Sequence, residues 1–217
     1  YDEMIRRVHN GDIGKIVAAQ LYYNSGGGSG KKPAVEDDEF RIRHHFQYLE
    51  LSGGTFHDQA IHVMDICREV LQANPIYAIG HSSRKGYKYE YGNTNTNYQV
   101  LYKYPDDINV MVQQTSVGSA TGGVVARFFG ENGTAEAKYS GGVFITGPNK
   151  WDSGIDNALG DADTNKGRSF IGSIISGNYI NEIEAGCNST LMAILGREAA
   201  AKGKALTWNK LVKSNQR

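Results

Sequence analysis

Gly53-Gly54-Thr55-Phe56-His57-Asp58-Gln59-Ala60-Ile61-His62-Val63-Met64-Asp65-Ile66-Cys67-Arg68-Glu69-Val70-Leu71 is the stretch whose reading decides the fold. It reads as a glycine turn feeding one amphipathic helix. Residues about three, four, seven and eleven apart share a helix face. Asp58, His62, Asp65 and Glu69 therefore line one side. Ala60, Val63, Met64, Cys67, Val70 and Leu71 form the apolar stripe opposite, which a helix needs in order to pack on a core. One face packs, and the other carries acid–base groups.

Outward from this helix the periodicity changes. Tyr1–His9 is a short helix stopped at Asn10-Gly11, and Lys15–Asn24 is rich in β-formers and reads as a first strand. Ser25–Gly30 reads as a mobile glycine-serine loop. Asn74-Pro75 ends the central helix, and Ile76–His81 follows as a strand. Tyr98–Tyr104, Ile108–Val117 and Val124–Gly130 alternate apolar and polar residues, as in Gln99/Leu101/Lys103, with Gly118–Gly123 as a turn. Thr134–Tyr139 and Gly142–Thr146 are two further short strands. Alternation of this kind predicts an antiparallel meander with one covered face. From Asp163 the period is helical again: Thr164–Ser176, Asn181–Lys202 ended by Gly203, and Trp208–Ser214 capped by Thr207. The order implies an α+β fold of two layers, a largely antiparallel open β-sheet with helices on one face.

Composition excludes several classes. Lys plus Arg equals Asp plus Glu, at 23 each, so no basic excess marks a nucleic-acid footprint. No apolar run approaches the ~20 residues of a membrane span. Cys67 and Cys187 both fall on apolar helix faces and read as buried thiols rather than as a disulfide. Gly30-Lys31 invites a phosphate-loop reading, but Lys31 is followed by Lys32 rather than Ser or Thr. His44, His45, His57 and His62 show no zincin spacing, so no metal site is assigned. Tyr87, Tyr89 and Tyr91 alternate, which suits either a sugar-stacking strip or packing at a strand or subunit interface.

Three motifs carry a resemblance. They are Gly11-Asp12-Ile13-Gly14-Lys15; Ser52-Gly53-Gly54 through Asp58 and His62 to Asp65, followed by Asn74-Pro75; and Asn188 through Ala200, followed by Gly203 and Leu206-Thr207-Trp208. In this order they resemble the C-terminal domain of the glucose–fructose oxidoreductase / inositol dehydrogenase / MocA (Gfo/Idh/MocA) family. The resemblance implies the dihydrodipicolinate-reductase-like two-layer plan and a second, N-terminal Rossmann domain that binds NAD or NADP. No G-x-G-x-x-G occurs in these 217 residues, and Lys32-Pro33 lacks the Glu of the family's Glu-Lys-Pro motif. The chain is therefore expected to be a single C-terminal substrate and oligomerisation domain, cut from a longer two-domain protein and inactive alone. Any export signal would then precede Tyr1.

Asp58 and His62 match the family's Asp-x-Gly-x-His motif in spacing, while Ala60 replaces its glycine and Asp58-Gln59 leans toward a Glu-Gln-x-x-His branch. The resemblance implies that His62 is the acid–base residue and that Asp58 assists the substrate hydroxyl. Arg43, His45 and Gln59 are candidates for substrate contact, although Arg41 and Arg43 also suit neutralisation of the acidic run Glu36–Glu39. Asp65 and Glu69 read as solvated or salt-bridged. The activity implied is oxidation of a sugar, cyclitol or related polyol. Related branches cleave glycosides through transient oxidation by bound NAD, and a non-enzymatic sugar-binding or assembly domain is the remaining alternative. Relatives use the exposed sheet face to form dimers or tetramers, so a homo-oligomer is expected.

Overall fold

The structure, a computed structural model, describes residues 1–117, 123–155 and 159–214. In chain order α1 (Asp2–His9) leads to β1 (Ile16–Ser25) and the two-residue β2 (Ser29–Gly30). Next come α2 (Asp38–Arg43), a 3-10 turn (His45–Gln47), α3 (Leu49–Ser52), α4 (Gly54–Asp58) and α5 (Ile61–Leu71). The strands β3 (Tyr77–Ser83), β4 (Lys88–Tyr89), β5 (Asn97–Lys103), β6 (Asn109–Ser116), β7 (Gly123–Gly130), β8 (Thr134–Lys138), β9 (Val143–Thr146) and β10 (Trp151–Asp152) follow. Then α6 (Leu159–Ser176), α7 (Ile183–Lys202), β11 (Leu206–Thr207) and α8 (Trp208–Ser214) complete the chain. Most of the expected turn Gly118–Gly123 lies outside the described residues.

Among the described residues the main sheet has nine strands in the order β10-β9-β8-β7-β1-β6-β5-β3-β11. It is open and mostly antiparallel, as the alternation implies. One feature departs from a meander. β6 and β7 are consecutive in the chain, but β1 lies between them, antiparallel to β7 and parallel to β6 with Tyr23 opposite Gln114. The parallel pairing is possible because the long excursion from β1 through α5 returns the chain to the sheet in the same direction.

The two faces differ as alternation dictates. Leu21 on β1, Val100 and Tyr102 on β5, Val112 on β6 and Phe128 on β7 are buried beneath α4, α5 and α7. Each large apolar side chain removed from water contributes about 1.5–3 kcal/mol. α7 crosses β5 closely: a Cβ on Gly196 would collide with the Tyr102 hydroxyl, which donates to Met192 O at 2.9 Å. The opposite face stays uncovered, with Ile79 and Leu101 paired across β3 and β5 and Leu101 opposite Met111 on β6.

Three expectations need correction. The opening stretch is two helices, because α4 ends at Asp58 and α5 starts at Ile61. Cys67 is buried on the inner side of α5, but Cys187 is exposed, since it points away from the α7 face that buries Ser189, Met192, Ala193 and Gly196. The Ser25–Gly30 loop is tied down: Ser29–Gly30 pairs in parallel with Lys88–Tyr89, and a Cβ on Gly27 would lie 2.5 Å from Ser116 O. α6 stands apart from the core, with Phe170, Ile171, Ile174 and Ile175 exposed on one side. Among the described residues no helix is long and apolar enough to cross a membrane.

Candidate functional site

The site is built where α4 passes into α5 above the end of β1. Gly53 and Gly54 both hold positive φ, +76° and +82°, and a Cβ on Gly53 would collide with the His57 ring. That turn starts α4, which buries Thr55 and Phe56 and delivers Asp58 and Gln59 to its end. Gln59 and Ala60 keep right-handed backbone angles but replace regular helix bonding, with His62 N donating to Gln59 O at 3.3 Å. His62 then stands exposed in the first turn of α5.

The His62 ring forms a cluster with two phenols, whose own centroids are 6.3 Å apart. It stacks on Tyr23 of β1, with centroids 6.1 Å apart and planes 29° from parallel, and tilts on Tyr139 at 5.0 Å. Partial burial, then the Tyr139 and Asp58 charges, hold the Tyr23 hydroxyl above the ordinary phenol value. Asp58 therefore acts on Tyr23, one of the two rings against His62, although no hydrogen bond or ion pair joins Asp58 to His62 among the described residues. His62 opens onto two cavities of about 520 and 510 Å³. Tyr1 and Tyr139 line both, with Asp65 and Ser189 on one side and Asp163 and Lys166 on the other. An imidazole at a cavity mouth, flanked by a carboxylate and two phenols, is equipped to accept and return a proton near neutral pH.

Gln59 joins a separate polar network. Its Oε1 accepts from Ser116 Oγ at 2.9 Å and from Gln114 Nε2 at 3.3 Å. Ser116 Oγ lies 3.0 Å from Ser25 Oγ, and Thr55 Oγ1 donates to Gln114 Oε1 at 3.0 Å. Gln114 is fully buried, so its amide must be bonded on both sides, and the network does this. The polar Gln114 stands in phase with buried Val110 and Val112, which is the signal by which sequence reasoning could have found this network. Tyr23 and Tyr139 carried no comparable signal.

The other expected residues sit elsewhere. Arg43 pairs with Glu39 at 2.8 Å, Arg41 pairs with Glu50, and His45 packs on Phe46 with centroids 4.6 Å apart. None of these contacts joins them to Asp58 or His62. Asp65 accepts from Ser189 Oγ at 2.5 Å, and Arg68 donates to the same hydroxyl and pairs with Glu69, which ties α5 to α7. His44 packs on Phe40 and Tyr91. Nor do the described residues make a dinucleotide cradle: the one glycine-rich loop leads into β2 rather than a helix, and its glycines are filled by Ser116 and Tyr89.

Comparison with known structures places this fold. Myo-inositol 2-dehydrogenase from Lactobacillus plantarum superposes with a TM-score of 0.67 at 19% identity, covering 95% of this chain and 61% of that one. Aldose-aldose oxidoreductase from Caulobacter crescentus, complexed with glycerol, gives 0.69 at 16% identity over 95% and 59%. Levoglucosan dehydrogenase, in complex with NADH and levoglucosan, gives 0.73 at 14% identity over 94% and 62%. The chain thus spans about three fifths of the length of each, and at these identities the likeness establishes the fold. A search of curated proteins finds no match. The family model of the GFO/IDH/MocA C-terminal domain matches residues 1–136, and the chain belongs to that family.

Proposed function

We propose that this chain is the substrate-binding domain and catalytic half of an NAD(P)-dependent oxidoreductase that acts on a sugar, cyclitol or related polyol. The observation that carries this reading is His62 packed against the Tyr23 and Tyr139 rings at a cavity mouth, with Asp58 at the preceding helix end acting on Tyr23. His62 takes the proton of the substrate hydroxyl, and Asp58 assists that hydroxyl. The nicotinamide, which accepts the hydride, is held by a Rossmann domain of the same protein outside this chain. That the neighbouring structures hold NADH and sugar-like ligands supports the reading. The uncovered sheet face, with its apolar row Ile79, Leu101 and Met111, serves self-association.

The test is steady-state turnover of the two-domain protein with NAD and NADP over a polyol panel. His62→Ala lowers kcat by about 10²-fold or more, in the range of a lost general base. Asp58→Asn lowers it less, and the 217-residue chain alone shows no turnover. Unchanged kcat in His62→Ala removes the catalytic assignment.

A further inference from the structure

A separate cavity, of about 240 Å³, lies beneath the Gly26–Gly28 loop and is walled by Gln47, Thr55, Gln59, Tyr87, Tyr89 and Ser116. We propose that it is a carbohydrate subsite for a non-reacting sugar unit, so that the substrate is a disaccharide or other glycoside rather than a free monosaccharide. The proposal rests on the assignment of Asp58 and His62 to the reacting hydroxyl.

One unpaired buried acceptor points to the ligand. Gln47 Oε1 is buried and has no hydrogen-bond partner among the described residues. The Gln59 side-chain oxygen is taken up by Ser116 and Gln114, while its NH2, on a half-buried side chain, makes no hydrogen bond among the described residues. The cavity thus offers a buried acceptor and an open donor on neutral amides. Buried polar groups are ordinarily satisfied, so Gln47 calls for a ligand that donates, and the Gln59 NH2 favours one that also accepts. Vicinal hydroxyls do both, whereas a carboxylate only accepts and an ammonium only donates.

The walls agree. The Tyr87 and Tyr89 rings stand 5.5 Å apart and tilted by 47°, with Arg84 over one face of Tyr87, and the faces left open suit the C–H side of a pyranose. Among the described residues Lys88 is the single charged residue lining the cavity and no carboxylate lines it, so it suits a neutral ligand. The loop fits tightly over this shelf because it carries glycine: a Cβ on Gly28 would collide with the Tyr89 hydroxyl.

The cavity is also placed at the correct remove from His62. Tyr23 and Ser25 lie on the same side of β1 two residues apart, which is roughly 7 Å of strand. Tyr23 stacks on His62, and Ser25 lies against Ser116 in the cavity wall. The cavity wall therefore stands about one pyranose length along β1 from the residue on which His62 stacks.

The test is calorimetric titration of the 217-residue chain with cellobiose, maltose and lactose, compared with D-glucose and myo-inositol. At least one disaccharide binds about tenfold or more tighter than either monosaccharide-sized probe. Gln47→Leu removes the acceptor without breaking any protein hydrogen bond. It abolishes that preference and leaves the thermal midpoint unchanged. If no disaccharide exceeds D-glucose and myo-inositol, or if Gln47→Leu keeps the preference, the subsite is overturned. His62→Ala retains the disaccharide preference, so a failure of the catalytic assignment in the two-domain protein is read separately from a failure here.

Discussion

Tyr23 on β1 and His62 on α5 stack with centroids 6.1 Å apart, so a strand, not the neighbouring helix turn, orients the imidazole. The Asp58–His62 spacing suggests a local helical pair, yet the break between α4 and α5 separates their turns. Orientation by a ring survives removal of the hydroxyl. Tyr23→Phe should leave kcat of the two-domain protein within about twofold, while Tyr23→Ala should lower it by roughly 10-fold to 100-fold, as misplacement of a catalytic group does. Steady-state kinetics of both variants decide. Equal losses would assign the effect to the hydroxyl beside Asp58 instead.

Gly196 allows α7 to lie directly on the Tyr102 hydroxyl. Gly196→Ala places a methyl group there and should destabilise by about 1–3 kcal/mol, the usual cost of overpacking a core. Part of that cost should be recovered in Gly196→Ala/Tyr102→Phe, which removes the colliding oxygen, although Phe loses the bond to Met192 O. Urea unfolding of the single and double variants forms the cycle. Strictly additive losses would show that the two sites do not meet.

The element types were legible because each face of the sheet writes its own pattern. Tyr98, Val100 and Tyr102 alternate with Gln99 and Leu101, and the former are buried. The apolar stripe of Val63, Met64, Cys67 and Val70 likewise reports the buried side of α5. The break at Gln59 and Ala60 was not legible, since neither residue is a helix breaker. Gln59 sits among Gln114 and Ser116, partners more than 50 positions away. The convergence of Tyr23 and Tyr139 on His62 depends on β1 entering between β6 and β7, and no local period encodes that insertion. Cys187 shares an apolar helix face with Leu191 and Ile194, but the face α7 buries is the one through Ser189, Met192, Ala193 and Gly196, so the thiol is exposed.

Alkaline pH should loosen the fold around Cys67. Burial pushes its thiol up to about 12, and burial followed by the Cys67 charge raises Tyr102 well above its ordinary value, as it does Tyr104. For each group the folded chain keeps its proton at a pH where the unfolded chain has lost it. The unfolded state then binds fewer protons, so stability falls as pH rises. The contribution is complete below the ordinary thiol value and is lost between about pH 9 and 12. In Cys67→Ala the decline should be shallower and should begin near the phenol range, about pH 10. Urea midpoints from pH 8 to 11 measure this, and an unchanged slope would remove Cys67 from the effect.

The row Ile79, Leu101 and Met111 crosses three strands on the uncovered face, and Ile79 and Leu101 are 38% and 43% exposed. Beside it Gln99 stands opposite Gln113, a polar pair that a second sheet can meet by hydrogen bonding. A face of this composition has an apolar centre with polar neighbours that include Lys103 and His81, which matches a self-complementary interface better than free surface. Leu101→Glu puts a charge at the centre of the row, and in a two-fold pairing each copy brings its own, so repulsion and desolvation double. Sedimentation equilibrium at micromolar concentration should show an oligomer for the parent chain and a shift to monomer for Leu101→Glu. Circular dichroism should be unchanged, because the position is exposed in the single chain. A monomeric parent, or an oligomer indifferent to Leu101→Glu, would place self-association elsewhere or exclude it.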